Sequence, residues 1–265
     1  MMITLPNGPS ENGLSKILSA NGCARRAALF EEDRSAGLIF PSPDWSAVGV
    51  KGHALLEHYH TGRLALADLA GVEFGPAGHP ALIGETAAET TAEALRIAEW
   101  YFTEFPSARF GSVVGAEIDL TVPTGIFEGL TARLDLVSDI PEGAIEGVPA
   151  GRFISDHKFY AKTPSDYAYL LRSLQAIWYC RAWELVHGER VTGFLYNVIT
   201  KTKVPKNIVR WRPFPEEDEI AALENTLSVL AARIAREGPW ANAAACYDDH
   251  GKECVFLTNG RCPRY

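Results

Sequence analysis

The sequence predicts an α/β fold: a mixed central sheet flanked by helices. Three observations carry that expectation. Two stretches of alternating character, "SVVGAEIDLTV" from Ser112 and "GIFEGLTARLDLV" from Gly125, meet at Pro123-Thr124-Gly125, a hairpin signal. A further short strand, Arg152-Phe153-Ile154-Ser155-Asp156-His157-Lys158, follows an exposed connection from Ile140 to Gly151 that carries Pro141, Gly143, Gly147 and Pro149. Helical patterns precede and follow these strands, so one chain mixes hairpin, central strand and helix.

Taken in order, residues 14–29 read as a helix, "LSKILSANGCARRAAL", strained near Asn21-Gly22. Residues 31–47, with Gly37, Pro41 and Pro43, read as loop. A helix is expected from about Val48 to Tyr59, ended by Gly62, and the Gly-, Ala- and Pro-rich residues 63–85 read as a mobile excursion. Glu85 to Phe105 is an amphipathic helix whose Ala92, Leu95, Ile97, Ala98, Tyr101 and Phe102 supply apolar surface, and it reads as scaffold. After the central strand, Thr163 can cap a helix in which Pro164 suits the first position, Asp166 favours the positive dipole end and Gly188 closes the last turn. Val191 to Thr200 is another strand. Glu216 to Arg236 is a last helix with acids in its first turn and bases in its last. The whole reads as a single domain over 1–265, with a helical part at 14–110, a sheet core at 111–213 and a closing helix with cysteines at 214–265.

Composition narrows the function classes. Hydrophobic residues make up 47% and charged residues 22%, as in an ordinary globule that can bury a full core. No apolar run reaches bilayer length, so no membrane partner is expected, and the start Met1-Met2-Ile3-Thr4-Leu5-Pro6 lacks a basic then apolar leader, which makes the cytoplasm the expected compartment. The formal charge of −8 excludes a protein that coats nucleic acid by bulk electrostatics. It leaves room for a local basic strip, and Lys201, Lys203, Lys206, Arg210 and Arg212 form one, which reads equally as a solvated strand and turn.

Several side chains invite chemistry. Asp156 and Lys158 are two apart on a strand and point the same way; standing alone, they are most simply an exposed ion pair of little worth. Asp135, however, lies between Leu134 and Leu136 in a strand, where a carboxylate is costly unless it meets a cation or a donor. Gln175 and Tyr179 share one helical face, as do His53 and Glu57, with His60 a turn further on. Five cysteines in a cytosolic chain are a poor disulfide framework. Three of them, Cys246, Cys254 and Cys262, crowd the last twenty residues with seven residues between successive members and look like metal ligands, whereas Cys180 reads as a small core residue.

The order Gly52-His53, Asp135, Asp156-x-Lys158, Gln175-x-x-x-Tyr179 resembles the RecB-like branch of the PD-(D/E)xK nuclease superfamily, whose exonucleases include AddB and the CRISPR-associated adaptation nucleases. The resemblance spans roughly Cys23 to Cys262. It implies a restriction-endonuclease-like core and a metal-dependent DNA exonuclease acting on single strands or DNA ends in recombination, repair or CRISPR-associated processing. It further implies that Asp135 and Asp156 hold Mg²⁺ or Mn²⁺, with His53 as a nitrogen ligand that favours Mn²⁺ and the His157 carbonyl as a further oxygen. Glu117 matches an acidic position that helps hold metal or orient substrate, with Asp119 competing for the role. Lys158 would lie over the scissile phosphate, Gln175 and Tyr179 would position substrate or strand, and Lys201, Lys203 and Arg210 would guide DNA. The cysteine pattern resembles a [4Fe–4S] site in which Cys23 joins Cys246, Cys254 and Cys262, stapling the two ends of the chain; the longer spacing leaves a Cys₄ zinc site open. A rival from another class is a catalytically silent DNA-binding or assembly subunit working beside a helicase or integrase. A third reading is a hydrolase acting on RNA or nucleotides.

Overall fold

The structure, a computed structural model, describes residues 1–5, 36, 44–75, 79–84, 86–123, 125, 128–164 and 173–237. The expected helix at 14–29, most of the loop at 31–47, Cys23, Cys246, Cys254 and Cys262, and Asp166 lie outside the described residues.

Five strands form one mixed sheet in the order β3-β4-β5-β6-β7: β3 (Ser112–Thr121), β4 (Thr131–Ile140), β5 (Gly151–Tyr160), β6 (Gly193–Thr200) and β7 (Asn207–Pro213). The β5–β6 pair is parallel and the other neighbours are antiparallel. The parallel pair follows from a helical crossover between β5 and β6, α3 (Leu174–His187). Every residue of β6 is buried, as expected for an inner strand covered on both faces. On one face Ile154, Phe194, Tyr196 and Val198 pack under Trp178 of α3 and under Leu223 and Leu227 of α4 (Glu217–Glu237). On the other lie α1 (Asp44–His60) and α2 (Ala87–Glu104), whose Leu55, Ile97 and Tyr101 share a core with Ile199. Among the described residues, no helix is long and apolar enough to cross a membrane.

Local pattern and structure part company in a few places, each for a physical reason. The first described helix starts at Asp44, ahead of the expected Val48, and Asp44 Oδ1 accepts from Thr86 Oγ1 at 2.5 Å. The described residues of the expected mobile excursion, 63–75 and 79–84, are built into the fold. A 3₁₀ turn at Leu66–Gly71 buries Leu69, and β2 (Glu73–Gly75) pairs in parallel with β1 (Met2–Thr4), a partner too far away in sequence for local periodicity to reveal. The hairpin between β3 and β4 is wider than a tight Pro-Thr-Gly turn: Val122 N–H donates to Leu130 O at 2.9 Å and β4 begins only at Thr131. The helix that Gly188 ends does not run from Thr163: α3 starts at Leu174 and is capped by Ser173, whose side chain accepts from Gln175 N–H, and it ends at Gly188 in a left-handed conformation (φ 72°). The basic segment after β6 supplies an edge strand, β7, and its Arg212 is spent on Glu219 of α4.

One clamp is invisible to sequence patterning. Lys51, fully buried in α1, donates to Ala87 O at 2.9 Å, Thr90 Oγ1 at 2.8 Å and Thr91 Oγ1 at 2.8 Å. An ammonium with its donors matched to acceptors survives burial, and here it holds α1 against the first turns of α2. That contact ties the helix that carries His53 to its neighbour.

Candidate active site

The site begins where two strands separate. β4 and β5 pair from Ile140–Gly151 to Leu136–Ser155 and no further. Beyond that point β4 stays with β3 down to Thr131, and β5 stays with β6 up to Tyr160. The parting leaves the next residues, Asp135 and Asp156, at the fork. His157 N–H, which has lost its ladder partner on β4, donates to Asp135 Oδ2 at 2.8 Å.

His53 reaches the fork from α1. A Cβ on Gly52 would meet the Phe159 ring at 2.5 Å, so the missing side chain lets the helix lie directly on β5. His53 Nδ1 then stands 3.0 Å from Asp135 Oδ2. The other two histidines of α1 are engaged elsewhere: His58 Nδ1 is 3.0 Å from Ala54 O, and His60 is buried with Nδ1 2.7 Å from Ser107 O.

Glu117 completes the group from β3. Among the described residues it is the non-glycine one with positive φ, 48°, in a strand whose register slips between Val113 and Gly115. Extended geometry would have kept Glu117 in phase with Asp119. Asp119 instead pairs with Arg133 at 2.8 Å, outside the group. Ligand atoms of His53, Glu117 and Asp135 all lie within 4.8 Å of one another, and the three line a cavity of about 340 Å³ together with His157 and Lys158.

Asp156 stands beside that triad. Lys158 Nζ is 2.8 Å from its Oδ2 and donates to its Oδ1 at 3.1 Å. The same ammonium donates to Gln175 Oε1 at 3.0 Å, and Gln175 Nε2 donates to Tyr179 Oη at 3.1 Å. The ion pair is therefore not an exposed one: Asp156 is 2% exposed and locked to α3. Lys201 and Lys203 follow β6 at the same end of the sheet as Lys158, with Lys201 N–H donating to Tyr160 O. Arg210 lies on β7 and lines a different cavity with Arg109, so the basic residues do not form one strip.

Residues 14–262 match the family model of the PD-(D/E)XK nuclease superfamily. The chain belongs to that superfamily. A solved structure of a candidate exonuclease from Eubacterium rectale shares its fold, with a TM-score of 0.54 at 14% identity over 96% of this chain and 89% of that one. No curated protein sequence matches the chain.

Within this nuclease fold, electrostatics divides the labour. Burial works against both ions of the His53–Asp135 pair. Their mutual charge and hydrogen bond outweigh it, so His53 is raised and Asp135 is held well below the usual carboxylate range. Burial, then the charge of Asp135, pushes Glu117 up to about 7. Burial also lifts Asp156 to about 6 in spite of Lys158. Lys158 loses solvation, but Asp156 and Asp135 more than restore its charge and raise it. Three carboxylates with one imidazole and one ammonium leave an excess of negative charge, and the donor set of two carboxylates and a nitrogen fits a divalent cation.

Behind the site runs a buried polar chain that sequence reading missed. Asn197 Nδ2 lies 2.9 Å from His157 Nδ1 and donates to Tyr101 Oη at 3.2 Å; Tyr101 Oη is 3.3 Å from His60 Nε2. Its members come from β5, β6, α1 and α2, so no local spacing announces them.

Two outcomes are expected. Glu117→Gly relieves the positive φ and one half-buried carboxylate, so the metal-free protein gains about 1 kcal/mol in chemical unfolding while Mn²⁺ binding weakens. A loss of stability would show that Glu117 is not strained. Burial pushes His60 down to about 4 from 6.5, with Arg109 adding to the effect. The unfolded chain binds a proton below pH 6.5 that the native state refuses until about pH 4, so this contribution is complete above 6.5 and is lost as pH falls through that window. Between pH 7 and pH 5 the wild type should lose about 2 kcal/mol more than His60→Gln in urea titrations; equal losses would refute the assignment.

Proposed function

We propose that this protein is a divalent-metal-dependent DNA exonuclease of the RecB-like type, acting on single strands or DNA ends in recombination, repair or CRISPR-associated processing. The observation that carries the reading is one cavity in which His53, Glu117 and Asp135 can hold an ion beside the charged Lys158. A divalent ion bound there supplies an activated water and neutralises charge on the attacked phosphate.

The side chains do the rest. Asp135 is oriented before any ion arrives, because His53 Nδ1 and His157 N–H both meet its Oδ2. Lys158 is raised and stays an ammonium, so it serves as a fixed positive charge for the phosphate oxygens and not as a base. Asp156 and Gln175 hold that ammonium from two sides, and Tyr179 holds Gln175. Asp156 adds a carboxylate, and the His157 carbonyl an oxygen, for the ion or for a second one. His53, a nitrogen donor, inclines the site toward Mn²⁺ over Mg²⁺. Lys201 and Lys203, at the Lys158 end of the sheet, would guide the strand, and a helicase or integrase is the class of partner that would present it.

For the ends of the chain we propose a [4Fe–4S] cluster on Cys23, Cys246, Cys254 and Cys262, with zinc as the alternative; the support is the number and order of these cysteines. Anaerobically purified protein should be brown and carry iron with acid-labile sulfide. Colourless protein with stoichiometric zinc would select the alternative.

Asp135→Asn, Asp156→Asn and Lys158→Ala should each lower Mn²⁺- or Mg²⁺-dependent degradation of linear single-stranded DNA by at least about a hundredfold, with circular dichroism unchanged. Degradation at wild-type rates in all three would sink the assignment. Binding of DNA without any product from the wild type would favour the silent-subunit reading.

A further inference from the structure

A second cavity, of about 590 Å³, opens on the α1–α2 side of the sheet and shares no lining residue with the catalytic one. Its polar lining is Arg109, Asn207, Arg210 and Glu146. Arg109 is half-buried, and its guanidinium carbon sits 4.0 Å from the centroid of the Phe105 ring. Nη1 donates to Asn207 Oδ1 at 2.5 Å. Asn207 in turn is fixed, since its Nδ2 donates to Asn197 Oδ1 at 2.6 Å and to Val198 O at 3.2 Å. Among the described residues no carboxylate pairs with Arg109. On the same α1–α2 side, Arg63 pairs with Glu57 and Arg96 with Glu93.

A partly desolvated cation that is held rigid and has no counter-ion is costly unless an anion visits it. The planar fork of an arginine, braced by an aromatic face and an amide, suits phosphate oxygens better than a point charge does. Apolar Phe105, Ile145 and Ile208 wall the remaining space, which is larger than a bare phosphate needs. We infer that this cavity is a second anion site that binds the phosphate of a nucleotide unit, with Arg109 as its anchor and Arg210 as a second cation. Glu146 is exposed at the rim, free to turn to solvent, and narrows the choice toward a ligand with an apolar body behind its phosphate. The unit can come from a free 5′-mononucleotide or from a strand that continues past the catalytic cavity.

The experiment uses the full chain in EDTA, so that no metal-mediated binding at the catalytic cavity contributes and a failed cleavage assay has no bearing on the outcome. Calorimetric titrations compare 5′-dAMP, deoxyadenosine and a short single-stranded oligonucleotide. Wild type should bind 5′-dAMP measurably more tightly than deoxyadenosine, and Arg109→Gln should weaken it by about tenfold or more, the loss of a charge-assisted hydrogen bond. Arg210→Glu, at an exposed position on the edge strand, should weaken it too and decides the matter if Arg109→Gln does not fold. An oligonucleotide that binds more tightly than 5′-dAMP with the same Arg109 dependence identifies a passing strand; binding of 5′-dAMP alone identifies a free nucleotide. Equal affinity for deoxyadenosine, unchanged affinity in both variants, or loss of binding in Lys158→Ala but not in Arg109→Gln would overturn the inference.

Discussion

Everything functional in this molecule hangs on the point where β4 leaves β5. Up to Leu136 and Ser155 the two strands satisfy each other's backbone, and one residue later they no longer can. The N–H of His157 must then find another acceptor, and it finds a carboxylate. In that single exchange a side-chain hydrogen bond replaces a ladder hydrogen bond and ties Asp135 Oδ2 across the fork, where His53 Nδ1 also meets it. A straight ladder through Asp135 and Asp156 would have left no cavity for His53 or Glu117 to enter.

The fork concentrates more negative charge than its own cations neutralise. His53 answers Asp135 and Lys158 answers Asp156, which leaves Glu117 without a cation of its own; its carboxyl is pushed up to about 7 and its backbone is held at a φ that a side chain disfavours. An arriving divalent cation would remove the repulsion between Glu117 and Asp135 and lower the proton affinity of both. The cost is carried by the rigid parts around it: the buried Lys51 clamp, the close seat of Gly52 on Phe159, and the fully buried β6.

How much of this could be read from the chain depends on whether the relevant contact is local. Asp156 and Lys158 share a strand face by parity alone, and a charged Asp135 between two leucines asks for a partner; both are written within a few residues. Gln175 and Tyr179 are a helical turn apart, and they meet. What alternation could not decide was Glu117 against Asp119, because residues two apart have the same parity; only the left-handed turn of the backbone at Glu117 separates them. The pairing of β1 with β2, the Lys51 clamp and the Tyr101–His60 contact each join elements far apart in sequence, and their residues carry no periodic signature of the union. Ser173, the cap of α3, is hidden in the sequence behind the stronger local signal of Thr163-Pro164.

The residue between Asp156 and Lys158 explains why the strand can be trusted to present both. His157 points its ring to the opposite face, against His60 of α1 and Phe110, where burial pushes it down to about 3 and it stays neutral. A neutral ring can accept from Asn197 at Nδ1, and Asn197 is itself held by Asn207, so the ring cannot rotate without breaking a buried chain. Fixing the ring fixes the peptide, and the peptide carries the N–H that Asp135 needs. The Asp156–Lys158 pair on one face of β5 is thus steadied from the other, because the ring that Asn197 holds belongs to the residue whose N–H orients Asp135.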